Sequence, residues 1–365
     1  IMGTRPDAIK MAPVVVECLK HRDRLEPIVV LTAQHRQMLD QVLGLFQIRA
    51  DADLNLMQED QRLPDLTARV LTGLDALWRH DRPDLVLVQG DTTSSFAAAL
   101  CASYLTIPIG HVEAGLRTQD KAAPFPEEMN RRLVDALADW HFAPTPGARQ
   151  NLLREGIPDH RIHVTGNTGI DTLLFTLDWV RSTGFEPRGL DPAMFGPEKL
   201  VLVTAHRRES VGEGLRDICA GLKGLASSRP DAAVVYPVHP NPQVRASVQT
   251  HLAGIANIYL TEPMDYRSFV YLMGRADLIL TDSGGIQEEA PSLGTPVLVM
   301  RRTTERMEAV EAGAAELVGT EPAAIVERAL ALLGRSNGAA GGANSFGDGR
   351  AAERIVDIVL KTLTP

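Results

Sequence analysis

The sequence predicts an α/β fold of two doubly wound domains facing across a cleft, and three observations carry that expectation. Short, nearly continuous apolar runs alternate with longer amphipathic ones along the chain. Such runs belong to parallel strands covered by helices on both faces. The scheme occurs twice, and 365 residues are more than one hydrophobic core usually serves. The polar motifs follow directly on the apolar runs, where doubly wound sheets bind ligands beyond the carboxyl ends of their strands.

In the first half, strands are expected at 27–33, 85–89, 107–112, 140–144 and 162–165. Helical patterns lie between them at 7–21, 35–46, 66–80, 94–104 and 128–138. In the second half the strands are expected at 199–204, 232–238, 257–260, 277–281 and 296–300, each followed by a helix-like segment. The Gly- and Pro-rich stretch 184–199 reads as an irregular connection, with the change of domain beginning near 166–172. This places the two domains at 1–168 and 169–350. A Gly-, Ala- and Asn-rich loop at 336–349 precedes a last helix at 351–363. The opening Ile1-Met2-Gly3-Thr4-Arg5-Pro6 reads as a strand-to-loop junction, so most of a first strand is expected to lie before it.

Composition narrows the function classes. A net charge of −9, with no basic run, gives no long-range attraction for nucleic acid. No stretch reaches the ~20 apolar residues that span a bilayer, and a cytoplasmic location is expected. Cys18, Cys101 and Cys219 fall in apolar, helix-spaced surroundings and read as packed, reduced thiols. No HxH, HExxH or clustered Cys/His spacing suggests a metal. Neither GxGxxG nor GxxxxGK[ST] occurs, so neither a dinucleotide redox cofactor nor a P-loop nucleotide is indicated.

Four strand exits carry the polar chemistry. They are Gln89-Gly90-Asp91-Thr92-Thr93, His111-Val112-Glu113-Ala114-Gly115, Thr204-Ala205-His206-Arg207-Arg208-Glu209 and Thr281-Asp282-Ser283-Gly284-Gly285. Asp91, Glu113 and Glu127 come from consecutive crossings of one domain, so their side chains can converge. Neighbouring acids in a closed site push their pKa values apart, giving a proton acceptor and a donor. Helix capping is the alternative for Asp91 and Glu127, and is compatible with catalysis.

Ser283-Gly284-Gly285 ahead of a helix at 286–293 reads either as an anion cradle or as a tight turn that needs glycine. Arg5, Lys10 and Arg306 suit a diphosphate, with solvated surface charge as the alternative. His206 reads as a packed core histidine or, with Arg207 and Arg208 beside it, as a ligand-binding or catalytic one. His111, His141 and His163 lack that company and read as structural.

These motifs carry a resemblance. Gly3-Thr4-Arg5-Pro6-Asp7-Ala8-Ile9-Lys10, Thr32-Ala33-Gln34-His35-Arg36-Gln37-Met38-Leu39, Pro126-Glu127-Glu128-Met129-Asn130-Arg131 and Thr281-Asp282-Ser283-Gly284-Gly285-Ile286-Gln287-Glu288-Glu289-Ala290-Pro291, with the exits at Asp91 and Glu113, resemble the bacterial non-hydrolysing UDP-N-acetylglucosamine 2-epimerases. The likeness runs along essentially the whole chain. It implies two Rossmann-like domains in a glycosyltransferase-B-like fold, a homodimer, and a helix at 351–365 that completes the first domain. It also implies interconversion of UDP-N-acetylglucosamine and UDP-N-acetylmannosamine through elimination of UDP, with neither nicotinamide nor metal.

By motif, Asp91, Glu113 and Glu127 fall on the family's acid/base carboxylates and His206 on its catalytic histidine. Arg5, Lys10, Phe269, Ser283, Gly284, Gly285, Glu289 and Arg306 fall on nucleotide-sugar contacts, and Gln34, Gln37, Glu209 and His239 on a second, activator site. Ala122-Ala123 stand where many members carry Tyr-Ser, and Met264 where some carry Gln near the uridine. The rival readings are a glycosyltransferase of the same architecture and a silent nucleotide-sugar sensor.

Overall fold

Thr4 starts the first helix by a reciprocal cap. Its hydroxyl accepts the Asp7 N–H at 3.4 Å, while the Asp7 carboxylate accepts the N–H groups of Gly3 and Thr4 at 3.0 Å. The helix that follows, α1 (Arg5–Leu19), opens a unit that alternates strand and helix. We describe residues 1–32, 36–56, 61–122, 124–187, 190–196, 198–206, 212–304, 306–334 and 344–363 in a computed structural model of the chain. It divides into two units, Ile1–Thr172 with Phe346–Pro365, and Leu173–Ser345.

The first unit continues with β1 (Val30–Leu31), α2 (Arg36–Leu45), β2 (Ala52–Asp53), α3 (Leu63–His80), β3 (Val86–Gln89), α4 (Thr93–Tyr104), β4 (Ile109–Val112), α5 (Glu127–Leu137), β5 (Trp140–Ala143), α6 (Pro146–Arg154) and β6 (Ile162–Val164). Strands β3, β4, β5 and β6 pair in that order, all parallel, and β1 pairs β2. Residues 1–3 lie between these two groups: Met2 bridges Leu31, and the Ile1 nitrogen donates to the Leu87 carbonyl at 3.0 Å. The order of segments is therefore β2, β1, residues 1–3, β3, β4, β5, β6. It reverses direction between residues 1–3 and β3, and that reversal is where such sheets hold ligands.

Packing explains how closely α4 sits. Ala97, Ala98, Ala99 and Ala102 are all fully buried, so the helix backbone can approach the sheet and α3 without a large side chain between. Leu66, Val70, Leu74 and Trp78 of α3 recur every four residues and cover α4 from the other side.

Helix α7 (Thr168–Thr183) carries the chain from the first unit into the second. There β7 (Lys199–Thr204), α8 (Glu213–Ser228), β8 (Ala232–Pro237), α9 (Pro242–Leu252), β9 (Ile258–Thr261), α10 (Tyr266–Met273), β10 (Leu278–Thr281), α11 (Gly284–Glu289), β11 (Val297–Val299), α12 (Met307–Glu311), β12 (Ala315–Leu317) and α13 (Pro322–Leu333) follow. The six strands are parallel in the order β12, β11, β10, β7, β8, β9. The reversal falls between β7 and β10. The last helix, α14 (Ala351–Leu363), belongs to the first unit, where Asp171 accepts the N–H groups of Ala351 and Ala352 at 3.2 and 2.8 Å.

Some elements differ from the sequence expectation for plain reasons. Strands β2 and β12 span two and three residues and are too short to show periodicity. The helix after Ser283 begins at Gly284 rather than at 286. It gives way to a 3₁₀ turn at Ala290–Leu293, where Pro291 has no N–H to continue the α-helical ladder. Among the described residues, no helix is long and apolar enough to cross a membrane. Most of the loop expected at 336–349 lies outside the described residues, as does Ala123.

Candidate active site

Asp91 and Glu113 stand at the exits of neighbouring strands, since Gln89 of β3 pairs with Val112 of β4. Glu113 adopts a left-handed backbone, φ 66°, which is uncommon for a residue with a side chain. That conformation turns its carboxylate into a nest of three donors. Lys10 Nζ and Gln89 Nε2 bond its two oxygens, and Asn167 Nδ2 lies 3.5 Å from Oε1. Gly90 has φ 65°, a backbone that favours glycine, and a Cβ there would press on Glu113 Oε2 at 3.2 Å. Lys10, expected as a diphosphate contact, is thus ion-paired with Glu113.

Asp91 does not cap α4. Thr92 does, accepting the Ser95 N–H at 3.1 Å, which leaves the Asp91 carboxylate to Arg131 Nη2 at 2.6 Å. Arg131 also donates to buried Glu128 at 2.9 Å, and Asn130 Nδ2 donates to the Asp91 carbonyl at 2.8 Å. The start of α5 is thereby fastened to the loop that carries Asp91. Glu127 opens that helix, but its side chain makes no capping bond. Its Oε2 is buried without a hydrogen-bond partner among the described residues. A buried, unsatisfied carboxylate oxygen is costly in a fold that gains nothing from it, and is suited to a group that handles protons.

Asp7 lies beneath this cluster. Burial pushes its carboxyl up to about 6, Asp91 adds to the rise, and the N–H bonds from Gly3 and Thr4 oppose it. Its Oδ2 lies 3.4 Å from Thr92 Oγ1. Arg5, half-buried, is the first residue of α1.

In the second unit the exits of β10, β7 and β8 lie side by side. Asp282 follows β10 and is fully buried. It accepts the His206 backbone N–H at 2.8 Å and lies 3.6 Å from His206 Nδ1. The Tyr236 hydroxyl donates to the Ala205 carbonyl at 2.6 Å, fixing the backbone just before His206. His239, beyond β8, stacks on His206 with ring centroids 5.0 Å apart and planes 8° from parallel. Burial and the neighbouring His206 both hold the His239 pKa below its usual value.

Ser283 stands at the start of α11, and its N–H is taken by Thr281 Oγ1 at 2.9 Å. Arg306 Nε donates to Glu288 at 2.8 Å, which sets the guanidinium flat against Gly284. A Cβ there would lie 2.8 Å from Arg306 Cζ, so glycine permits the approach. Gln287 joins the group by donating to the Ser283 carbonyl and accepting from Thr304 at 2.6 Å. Gly285 and Glu289 border it, and Phe269 is half-buried on α10.

The family model for UDP-N-acetylglucosamine 2-epimerase matches residues 17–360. The Escherichia coli K12 protein of that name is 52% identical over 363 residues, covering 98% of this chain and 96% of the relative. The chain belongs to the UDP-N-acetylglucosamine 2-epimerase family. A crystal structure of the Neisseria meningitidis UDP-GlcNAc 2-epimerase bound to UDP-GlcNAc aligns with TM-score 0.90, 47% identity and coverage of 99% and 98%. The Methanocaldococcus jannaschii enzyme in complex with UDP-GlcNAc and UDP aligns with TM-score 0.82 at 33% identity, covering 99% and 98%. The architecture of this chain is the family's two-domain, glycosyltransferase-B-like α/β fold.

Of the four activator residues that the resemblance implies for this family, Gln34 and Glu209 lie outside the described residues, as do Arg207 and Arg208. Gln37 is placed only as a position on α2. His239 is placed, and its partner is His206. Reading the sequence did not single out Gln89, Asn167, Arg131, Asp7 or Asp282. All except Asn167 stand inside quoted motifs, so the signal was present as context without a role.

Proposed function

We propose that the chain is a non-hydrolysing UDP-N-acetylglucosamine 2-epimerase that interconverts UDP-N-acetylglucosamine and UDP-N-acetylmannosamine. The observation that carries this reading is the nested Glu113 carboxylate beside Asp91, on a chain that belongs to this family throughout its length. The C2 hydrogen of the sugar is not acidified by a neighbouring carbonyl, so its removal has to be coupled to loss of a good leaving group. A carboxylate of the first unit takes the C2 proton as the C1–O bond breaks and UDP departs, leaving 2-acetamidoglucal. A second acid then returns a proton to the opposite face of C2, and a UDP oxygen re-adds at C1.

Lys10 pairs with Glu113 and aims it, and Arg131 does the same for Asp91. Glu127, with its unbonded oxygen, is the third proton-handling group. In the second unit, Ser283, Gly284, Gly285 and Arg306 are assigned to the diphosphate, whose charge grows as C1–O breaks. His206 is assigned to the same leaving group, with Asp282 holding its backbone and ring. Arg5, Phe269 and Glu289 are assigned to the remaining nucleotide-sugar contacts, and His239 with Gln34, Gln37 and Glu209 to an activator site. A homodimer in the cytoplasm supplying N-acetylmannosamine units for cell-surface polysaccharide completes the proposal.

Incubation with UDP-N-acetylglucosamine alone tests it. The epimerase reading expects UDP-N-acetylmannosamine to accumulate to an equilibrium mixture without any acceptor. Recovery of unchanged substrate would sink it in favour of a transferase or a silent nucleotide-sugar sensor.

A further inference from the structure

We propose that His111 and Asp135 form a buried positioning clamp that fixes the loops bearing Asp91 and Glu113 relative to α5; the catalytic part of this role rests on the epimerase reading. His111 lies on β4, two residues before Glu113, and is fully buried. Its Nδ1 is 2.6 Å from Asp135 Oδ1, and its Nε2 is 2.8 Å from the Gly90 carbonyl oxygen. Both partners are acceptors only. Each ring nitrogen therefore faces an oxygen that can accept a hydrogen bond from it.

Asp135, on α5, extends the clamp to the second loop. Its Oδ2 accepts the Gly115 N–H at 3.3 Å, two residues past Glu113, and Arg117 Nη2 at 2.6 Å. Arg117 is braced in turn by both oxygens of Glu155. His141 on β5 approaches the Asp135 carbonyl at 2.8 Å. Burial by itself would push the Asp135 carboxyl up, and His111 together with Arg117 holds it below the usual carboxylate range. One carboxylate therefore reaches the loop before Asp91 through His111 and the loop after Glu113 directly.

The same helix supplies Asn130 and Arg131 to Asp91, and carries Glu127 at its start. All three acids of the proposed proton chemistry are thus referred to α5. A buried ion pair is weak as a source of stability compared with apolar packing. A pair that ties two catalytic loops to one helix sets geometry, and neither residue needs to touch substrate to do so.

Two substitutions separate the arms of the clamp. His111→Asn keeps a donor near the Nδ1 position and loses the bond to Gly90. His111→Gln keeps a donor near Nε2 and loses the bond to Asp135. We expect His111→Asn to lower kcat roughly 10–100-fold, as small misplacements of catalytic groups do, with KM and UDP affinity unchanged. His111→Gln should lower kcat over a similar range, because losing the bond to Asp135 frees the Gly90 loop from α5 as losing the bond to Gly90 does. Side-chain nitrogen NMR of the wild-type protein should show both His111 ring nitrogens hydrogen-bonded, a readout that needs no variant to fold. A His111 ring nitrogen free of any hydrogen bond, or a wild-type kcat in either variant, would overturn the clamp. Wild-type protein that lacks epimerase activity would instead fail the functional reading, while the ring spectrum would still report on the clamp.

Discussion

The two units repeat one strand order and fill it with opposite chemistry. In the first, the reversal point is lined by acids held in place by cations: Glu113 by Lys10, Asp91 by Arg131, with Asp7 buried below. In the second, the same topological position holds histidines, hydroxyls, a glycine pair and Arg306. The difference teaches that topology selects where a ligand meets the sheet, while the residues at the strand exits decide which bond is worked on. On our reading the first unit moves a proton and the second receives a leaving group.

The comparison breaks most readily at the acids. Glu113→Gln, Asp91→Asn and Glu127→Gln should each lower turnover by roughly 10²–10⁴-fold, the usual cost of a lost general acid or base. UDP affinity, measured by calorimetry, should be retained in all three. A carboxamide variant with wild-type turnover would remove its residue from proton transfer. A large loss of UDP affinity would erase the division of labour.

Arg306→Ala is the matching test in the second unit. Loss of one charge-assisted contact should weaken UDP binding by about 1.5–3 kcal/mol. Unchanged affinity by calorimetry would take Arg306 out of the diphosphate site and leave it as a brace for Glu288.

The smallest effect concerns pH. Asp171, like Asp7, belongs to the first unit, and burial pushes its carboxyl up to about 6. A carboxyl raised in the folded state binds its proton more tightly there than in the unfolded chain. Its contribution to stability is therefore full below the unfolded value, about 4, and is lost as pH rises through about 6. Asp171→Asn should flatten the stability profile across that window by on the order of 1–2 kcal/mol. Urea denaturation of wild type and variant at both ends of the window checks this, and parallel profiles would exclude Asp171 as the source.

Much of this architecture was legible in the sequence because strand exits are local features. The span expected at 199–204 is β7, and the helix expected at 351–363 is α14. Gly284 and Gly285 stood out as a glycine pair at a strand exit. The partnerships were not legible, because the sheet makes them between distant residues. Lys10 meets Glu113 across 103 positions, and His206 meets Asp282 across 76. Asn167 carries no motif of its own and reaches Glu113 only through the turn before α7. The capping alternative for Asp91 was settled by one residue, since Thr92 offers the better-placed oxygen. His111 read as structural from its isolation in sequence, whereas the fold gives it an acceptor on each nitrogen.

The central claim, proton chemistry in one unit coupled to departure of UDP in the other, is tested most directly by the fate of the C2 hydrogen. If UDP leaves and a protein acid returns the proton, the acid exchanges with solvent between the two steps. In heavy water, the UDP-N-acetylmannosamine formed should carry deuterium at C2 when examined by NMR or mass spectrometry, and long incubation should release some free UDP and glycal. Product that retains its original C2 hydrogen would contradict the account and require an internal hydride transfer in place of elimination and re-addition.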